Sequence, residues 1–380
     1  MIDLFLRLDP VWQALTAAAA LMLLIQLIYI LVVYWRIPGY RQSVKNPEQF
    51  PVSIVVVVRD QLYWIEEALP KLLAQNYPTF EVVVVDDASE TDLGSAVQMM
   101  MLACPNLRYT RLNPSSKLTR TRKLALTVVI KACAYPNILF TEPNCYPTSD
   151  QWLSIMAKGF SAGDVVIGYC GMEETPGFRN RLIRCDRLMT SVRYLSAAIA
   201  GRPYRGIAQN LAYTSAIYFG NKGFNRLDLN TGDDDLFIRK IARRDNTAII
   251  LNPKATLRQY PYRTFRAWFG ERKYLSYTFR YYPTGVKNGQ FVEFFSRLLF
   301  WGATIALLAG TLRIHPLWIA AGGAILLRWL VLLFTVSRVA RRLGERGLLG
   351  ALLFHDLFSP VWEVLLALAR RIRPSKGIWE

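Results

Sequence analysis

Phe80-Glu81-Val82-Val83-Val84-Val85-Asp86-Asp87-Ala88-Ser89 reads as a strand with no solvent face that stops on two acids. A continuous β-branched run of this kind marks a strand buried on both sides, as in a parallel sheet. A second run, Val52-Ser53-Ile54-Val55-Val56-Val57-Val58, precedes it. Between them Trp64, Ala68, Leu69, Leu72 and Leu73 recur at helical spacing, and Asn76-Tyr77-Pro78 ends the helix. The three pieces form a strand–helix–strand unit of the size a right-handed crossover needs. Further on, 91–102 predicts a helix, 107–110 a short strand, 123–134 a helix and 138–141 a strand. The expected fold class is α/β, with a Rossmann-like, mostly parallel sheet.

Open sheets of this kind bind ligands at the carboxyl ends of their strands. Arg59-Asp60, Asp86-Asp87 and Glu142-Pro143-Asn144 each follow such an end, so polar residues from three strands converge on one edge. Loop position alone explains any one of them; three together favour a site. Farther along stands Thr231-Gly232-Asp233-Asp234-Asp235-Leu236. Carboxylates this close repel one another and are kept where they bind a cation, accept a proton or order a polar ligand. The alternative is a helix start, since Asp is a common N-cap and Leu236, Phe237, Ile238 and Ile241 could open a helix. The chain has no GxGxxG and no GxxxxGK(S/T), so dinucleotide and P-loop sites lack their phosphate cradle.

Lys and Arg outnumber Asp and Glu by 46 to 28 in 380 residues, and 52% of the chain is hydrophobic. Residues 10–35 carry no charge, which exceeds the ~20 residues a spanning helix needs. Arg36, Arg41 and Lys45 follow, so the positive-inside rule puts the following chain in the cytoplasm. Apolar segments recur near 294–312 and 315–336, joined through Arg313-Ile314-His315-Pro316 and followed by Arg338, Arg341, Arg342 and Arg346. Arg328, inside the third segment, is expected to face a partner or to snorkel to the interface, with snorkelling preferred. Segment 348–369 has Arg on both sides and contains His355, Asp356, Pro360 and Glu363; it is expected to be interfacial or re-entrant. The expected domains are an N-terminal transmembrane helix with basic linker (1–45), a cytoplasmic α/β domain (50–285) and a C-terminal membrane region (291–380). A multi-pass protein of the cytoplasmic (inner) membrane follows. Basic stretches such as 251–290 suit anionic headgroups or an anionic substrate, and nucleic acid is set aside because no nucleic-acid-binding module is recognisable. Five cysteines without CxxC spacing and two histidines argue against zinc and for reduced thiols.

With these residues laid out, the chain resembles the membrane-bound, inverting glycosyltransferases of family 2, the group of cellulose, hyaluronan and poly-N-acetylglucosamine synthases. The resemblance covers about 51–282 and extends to the flanking membrane helices. Val82-Val83-Val84-Val85-Asp86-Asp87-Ala88-Ser89 is its most specific match, and Pro51 through Asp60 resembles the family's opening strand. The resemblance implies a GT-A fold and a nucleotide-sugar donor, expected to be a UDP-sugar, held by Arg59, Asp60, Asp86, Asp87, Arg122, Lys123, Glu142 and Asn144. It implies a role in polysaccharide biosynthesis at the cell envelope. Gly232-Asp233-Asp234-Asp235-Leu236 matches the family's E-D-x-D-L, which implies Asp233 as the catalytic base. Gln209, Asn210, Asp234, Asp235, Trp268, Glu271 and Arg272 fall on the acceptor or gating segments. Glu142-x-Asn144 replaces the D-x-D that binds the sugar and a Mg²⁺ or Mn²⁺ ion, leaving one carboxylate and one amide oxygen for metal. Gly232 stands for the family's Glu, and Glu271 for its Gln.

Inverting transfer needs a base for the acceptor hydroxyl and positive charge for the departing diphosphate. Asp233, beside Asp234 and Asp235, suits the first; Glu142 through a cation, with Arg122, Lys123 and Arg272, suits the second. Three expected spans are few for a self-sufficient channel, so a lipid-linked or partner-dependent glycan acceptor is expected, with partner membrane subunits. The competing reading is a catalytically weak nucleotide-sugar-binding or scaffold subunit of a glycan export complex.

Overall fold

The computed structural model describes residues 9–41, 49–112, 122–224, 234–311 and 317–372. A long helix, α1 (Pro10–Gly39), leads into the α/β domain. Strands and helices then alternate: β1 (Val52–Val58), α2 (Leu62–Leu73), β2 (Phe80–Asp86), α3 (Leu93–Met101), β3 (Leu107–Arg111), α4 (Arg122–Ala132) and β4 (Asn137–Thr141). Next come β5 (Cys145–Pro147), α5 (Trp152–Ala157), β6 (Val165–Ile167), β7 (Cys170–Met172), α6 (Phe178–Ile199), β8 (Leu211–Thr214) and α7 (Ser215–Gly220). The domain closes with α8 (Asp235–Ile241), β9 (Thr247–Ile249), β10 (Leu257–Gln259) and α9 (Phe265–Leu275). Three long helices follow: α10 (Thr284–Thr311), α11 (Leu317–Arg342) and α12 (Leu349–Ile372).

Seven strands form one sheet in the order β3-β2-β1-β4-β8-β6-β9, and β5-β10-β7 form a small second sheet. β1 pairs in parallel with β2 and β4, with Val58 opposite Asp86 and Val56 opposite Thr141. This register brings the carboxyl ends of the three strands to one edge. β8 runs antiparallel to both β4 and β6. Alternate residues of the valine runs supply two cores. Val52, Ile54, Val56 and Val58 pack with Ile65, Leu69 and Leu72 of α2. Val55, Val57, Val83 and Val85 pack with Val129 of α4 and with Leu188 and Val192 of α6. That second core also contains Ile30, Tyr34 and Ile37 of α1 and Leu332, Val336 and Val339 of α11. The long helices and the α/β domain therefore share one hydrophobic interior.

Among the described residues, four helices are long and apolar enough to cross a membrane: α1, α10, α11 and the Leu349–Ala369 part of α12. α12 is one continuous helix through Pro360, without the turn a re-entrant segment needs. Its buried His355, Asp356 and Ser359 make it amphipathic and turn its polar groups toward the rest of the protein. Arg328 departs from the preferred expectation. It does not snorkel: it is 1% exposed, donates from Nη2 to Asp356 Oδ1 at 2.8 Å and to Gln26 Oε1 at 2.8 Å, and pairs through Nη1 with Asp356 Oδ2. A guanidinium held this way on α11 explains why α12 and α1 carry polar residues at matching depths.

Removing one member of that pair strands a buried charge, which costs about 3–5 kcal/mol, whereas replacing both by apolar groups is often neutral. Asp356→Ala is expected to lower the unfolding midpoint of the detergent-solubilised protein sharply. The double change Arg328→Met with Asp356→Leu should recover most of the loss. An Asp356→Ala midpoint equal to the wild type's refutes the assignment of this pair.

Candidate active site

A cleft of about 500 Å³ opens at the carboxyl edge of the parallel strands. It is lined by Arg59 and Asp60 after β1, Glu142 and Asn144 after β4, and Arg122 at the start of α4. Gln209, Asp234 and Glu271 reach it from the other side. Segments far apart in the chain thus meet as the parallel register requires.

The loops after β1 and β2 are tied to each other. Asp60 has φ 52° and Ala88 φ 55°, the left-handed region that side-chain-bearing residues rarely adopt. Such strain persists where surrounding bonds over-determine it. The Asp60 backbone N–H donates to Ser89 Oγ at 3.0 Å, and Asp60 Oδ1 accepts from the Glu90 backbone N–H at 2.6 Å. Asp86 is the tie's other anchor. Its Oδ1 accepts from the Ser89 N–H at 2.7 Å and its Oδ2 from the Tyr109 hydroxyl at 2.9 Å, with Arg111 Nε 3.6 Å away. Burial, then the bond to Asp86, push the Tyr109 phenol up to about 12. Asp86 is wholly buried and lies behind the cleft wall; Asp87 is also buried, and its backbone N–H donates to Val58 O at 2.9 Å. These aspartates shape the edge, and neither is among the cleft-lining residues.

Glu142 forms an ion pair with Arg122, both side chains being partly buried. Lys123, the next residue of α4, is buried and is not among the cleft-lining residues. Asn144 Oδ1 takes a weak bond from the Cys145 thiol at 3.5 Å. Across the cleft, Asp234 caps α8: its Oδ1 accepts from the Asp235 N–H at 2.7 Å and its Oδ2 from the Ala208 N–H at 3.3 Å. Helix start and site lining, posed as alternatives from the sequence, coincide in this residue. Asp235 turns inward, 3% exposed, with Oδ2 accepting from the Tyr282 hydroxyl at 2.7 Å and from Thr278. Asp233, with Thr231 and Gly232, lies outside the described residues.

Three other expected residues are placed away from the cleft. Asn210 is 1% exposed, its Oδ1 accepting from the Trp152 indole at 3.1 Å and its Nδ2 donating to the carbonyls of Tyr169 and Ala255. Trp268 is buried against Trp362, Met172 and Ile183, packing α9 onto α12. Arg272 Nε pairs with Asp186 Oδ2 at 2.9 Å and lines a second cavity on the far side of α9. Burial pushes the Asp186 carboxyl up, but Arg272 and then His355 outweigh it and hold it below the usual carboxylate range. Gln209 Nε2 donates to Gln259 Oε1 at 3.0 Å, while Glu271 lies 3.6 Å from Arg187 Nη2. Gln61, Glu90 and Tyr274 also line the cleft and were missed from the sequence. Position next to a recognised segment was the one available signal: Gln61 follows Asp60, and Tyr274 follows Arg272 by two.

The oxygens available for a divalent cation are few. Among the described residues, no three His, Cys, Asp or Glu side chains gather in one cluster. Glu142 and Asn144 offer a carboxylate and an amide oxygen, and the carboxylate already faces a guanidinium. This donor set fits a cation that arrives with a diphosphate, whose oxygens fill most of the coordination shell. Among the described residues it does not make a site for an ion resident in the free protein.

Known proteins agree with this architecture. The model of the family "Glycosyl transferase family 2" matches residues 53–220. No curated protein matches the chain. Among solved structures, the mannosyltransferase PcManGT from Pyrobaculum calidifontis, determined with GDP-Man and Mn²⁺, is similar over 91% of this chain and 99% of its own, at 20% identity and TM-score 0.59. S. aureus TarS 1–349, determined with UDP-GlcNAc, is similar over 77% of this chain and 89% of its own, at 15% identity and TM-score 0.41. Residues 53–220 form a glycosyltransferase family 2 domain of GT-A fold, and the four apolar helices of the chain fit a membrane-associated form.

Proposed function

We propose that the cleft transfers one sugar, with inversion, from a nucleoside diphosphate sugar to a lipid-linked glycan acceptor at the cytoplasmic face of the membrane. The observation that supports this reading best is the convergence of Arg59, Asp60, Arg122, Glu142, Asn144, Asp234 and Glu271 on one cleft at the strand ends. The cleft is lined by carboxylates, those of Asp60, Glu142, Asp234 and Glu271, and by the guanidiniums of Arg59 and Arg122. An in-line displacement needs both kinds of charge, carboxylates toward the acceptor and sugar and positive charge at the departing diphosphate. A UDP-sugar is the expected donor, and GDP-mannose, bound by the mannosyltransferase named above, is the comparison to run beside it.

In this reading Arg122 neutralises charge on the leaving diphosphate. Glu142 and Asn144 would hold a divalent cation carried in by the diphosphate, which would spread the charge that develops there. Asp233 takes the proton of the acceptor hydroxyl as the new bond forms, in a cluster where neighbouring carboxylates favour a proton-accepting member. Asp234, the residue next in the chain to Asp233, fixes the start of α8. Basic residues 251–290 and the flanks of the apolar helices face anionic headgroups.

Two outcomes follow. Asp233→Asn is expected to lower kcat at least a hundredfold with little change in donor KM, as loss of a general base does. Equal turnover of radiolabelled nucleotide-sugars by wild type and mutant removes Asp233 from this role, and turnover of none by the wild type, on any acceptor, favours the scaffold reading. Manganese EPR should show no tight Mn²⁺ binding to the free protein and clear binding once UDP or GDP is added, weakened by Glu142→Gln. Tight Mn²⁺ binding without nucleotide contradicts a cation delivered by the donor.

A further inference from the structure

A second cavity, of about 350 Å³, lies across α9 from the cleft. Glu271 and Tyr274 line the cleft, Arg272 and Ser276 line the cavity, and Leu275 borders both. The segment after α6 divides the same way, with Arg205 on the cavity and Ala208 and Gln209 on the cleft. Asp234 lines the cleft, while the next residue, Asp235, accepts a hydrogen bond at 2.7 Å from Tyr282, which lines the cavity. The two spaces thus flank the aspartate segment from opposite sides.

The cavity is mostly apolar, with Phe279, Phe291, Phe294 and Phe295 in its wall. Phe291, Phe295 and Leu368 also reach the surface, at 49%, 51% and 48% exposure, beside exposed Leu298, Leu299 and Leu365. α10 and α12 carry these residues, so the cavity opens sideways onto the apolar belt of the helices. Its polar end is built from arginines that differ in one respect. Arg193 is engaged by Glu293 and Glu363, and Arg272 by Asp186. Arg205 is 8% exposed, and among the described residues it has no ion pair within 4.0 Å and no hydrogen bond; the Tyr194 ring lies 6.0 Å away. Asp234 and Asp235 act on its charge from a distance without closing a pair. Its Nε is buried with no hydrogen-bond partner, and a guanidinium left this way is costly unless water or an anion completes it.

We propose that this cavity binds the lipid-phosphate portion of the acceptor: a phosphate on Arg205 and one long apolar chain running along the phenylalanines and out between α10 and α12. The charge selects the phosphate, and the side opening selects a chain that stays in the bilayer. An acceptor held there presents the group beyond its phosphate to the aspartate segment and the donor. This inference rests on the reading of the cleft as the donor site.

The test uses the full chain in nanodiscs of neutral phosphatidylcholine and a diazirine-bearing farnesyl phosphate, with labelled peptides mapped by mass spectrometry. Labelling is expected on α10 and α12, competed by farnesyl phosphate and at least tenfold less well by farnesol or by a diacyl phosphatidylglycerol. Arg205→Gln should weaken labelling about tenfold, the scale of a lost charge-assisted anchor. Arg205→Lys should retain part of it, and Ala367→Trp, which fills the apolar part, should abolish it. Nucleotide binding, measured in parallel, should persist in all three. Equal competition by farnesol or phosphatidylglycerol, or wild-type labelling of Arg205→Gln, overturns the proposal. If Arg205→Gln also loses nucleotide binding, the competition series on the wild type and the Ala367→Trp variant decide. A wild type that takes farnesyl phosphate but no nucleotide breaks the donor-site reading and leaves the cavity assignment standing.

Discussion

Glu293 is buried on α10 at 1% exposure, where an ionised carboxylate is tolerated only if partners surround it. Tyr34 of α1 donates to its Oε1 at 2.5 Å, Arg193 of α6 to its Oε2 at 2.9 Å, and Arg297 pairs with it from the next turn. Arg193 reaches on to Glu363 of α12 at 3.0 Å. One carboxylate therefore joins α1, α6, α10 and, through Arg193, α12. A second, Glu345 in the turn between α11 and α12, accepts from Arg184 of α6 at 2.9 Å and from Tyr169 at 3.0 Å, and pairs with Arg258 of β10. Pairs of this kind add little net stability over apolar replacements, but breaking one is expensive, so they specify a single arrangement. The helices that fit a membrane are thereby locked to the α/β domain in one orientation.

That lock sets the walls of both cavities. α9 separates them, and it is held from below by Arg272 on Asp186 and from the side by Trp268 against Trp362. Asp186 also lies 3.4 Å from His355 Nε2 on α12, so one buried acid reads the positions of α9 and α12 together. On the strand edge the same logic works through neutral bonds. Asp86 holds Ser89, Ser89 holds Asp60, and two left-handed residues are kept in place by that chain.

Much of the sheet and its functional edge was legible because valine runs report burial on both faces and polar residues after them report strand ends. Asp60, Glu142 and Asn144, which line the cleft, carry that signal. The same signal misassigned direction. Asp86 ends β2 and Asp60 follows β1, yet only Asp60 lines the cleft, and no local pattern distinguishes them. Trp268 shows the difficulty again: an aromatic near a family segment reads as a gate, but its burial came from α12, 94 positions away in the chain.

The sequence by itself determined the α/β class, the apolar helices and the set of polar residues at the strand ends, because each is written in local periodicity and charge. Tertiary structure alone decided which of those polar groups face the cleft, that Arg328 meets Asp356 instead of the membrane surface, and that Arg205, beside an apolar cavity, has no ion pair among the described residues. The physical reason is that a charge's cost depends on what lies within a few ångströms of it, and those neighbours come from helices and strands far apart along the chain.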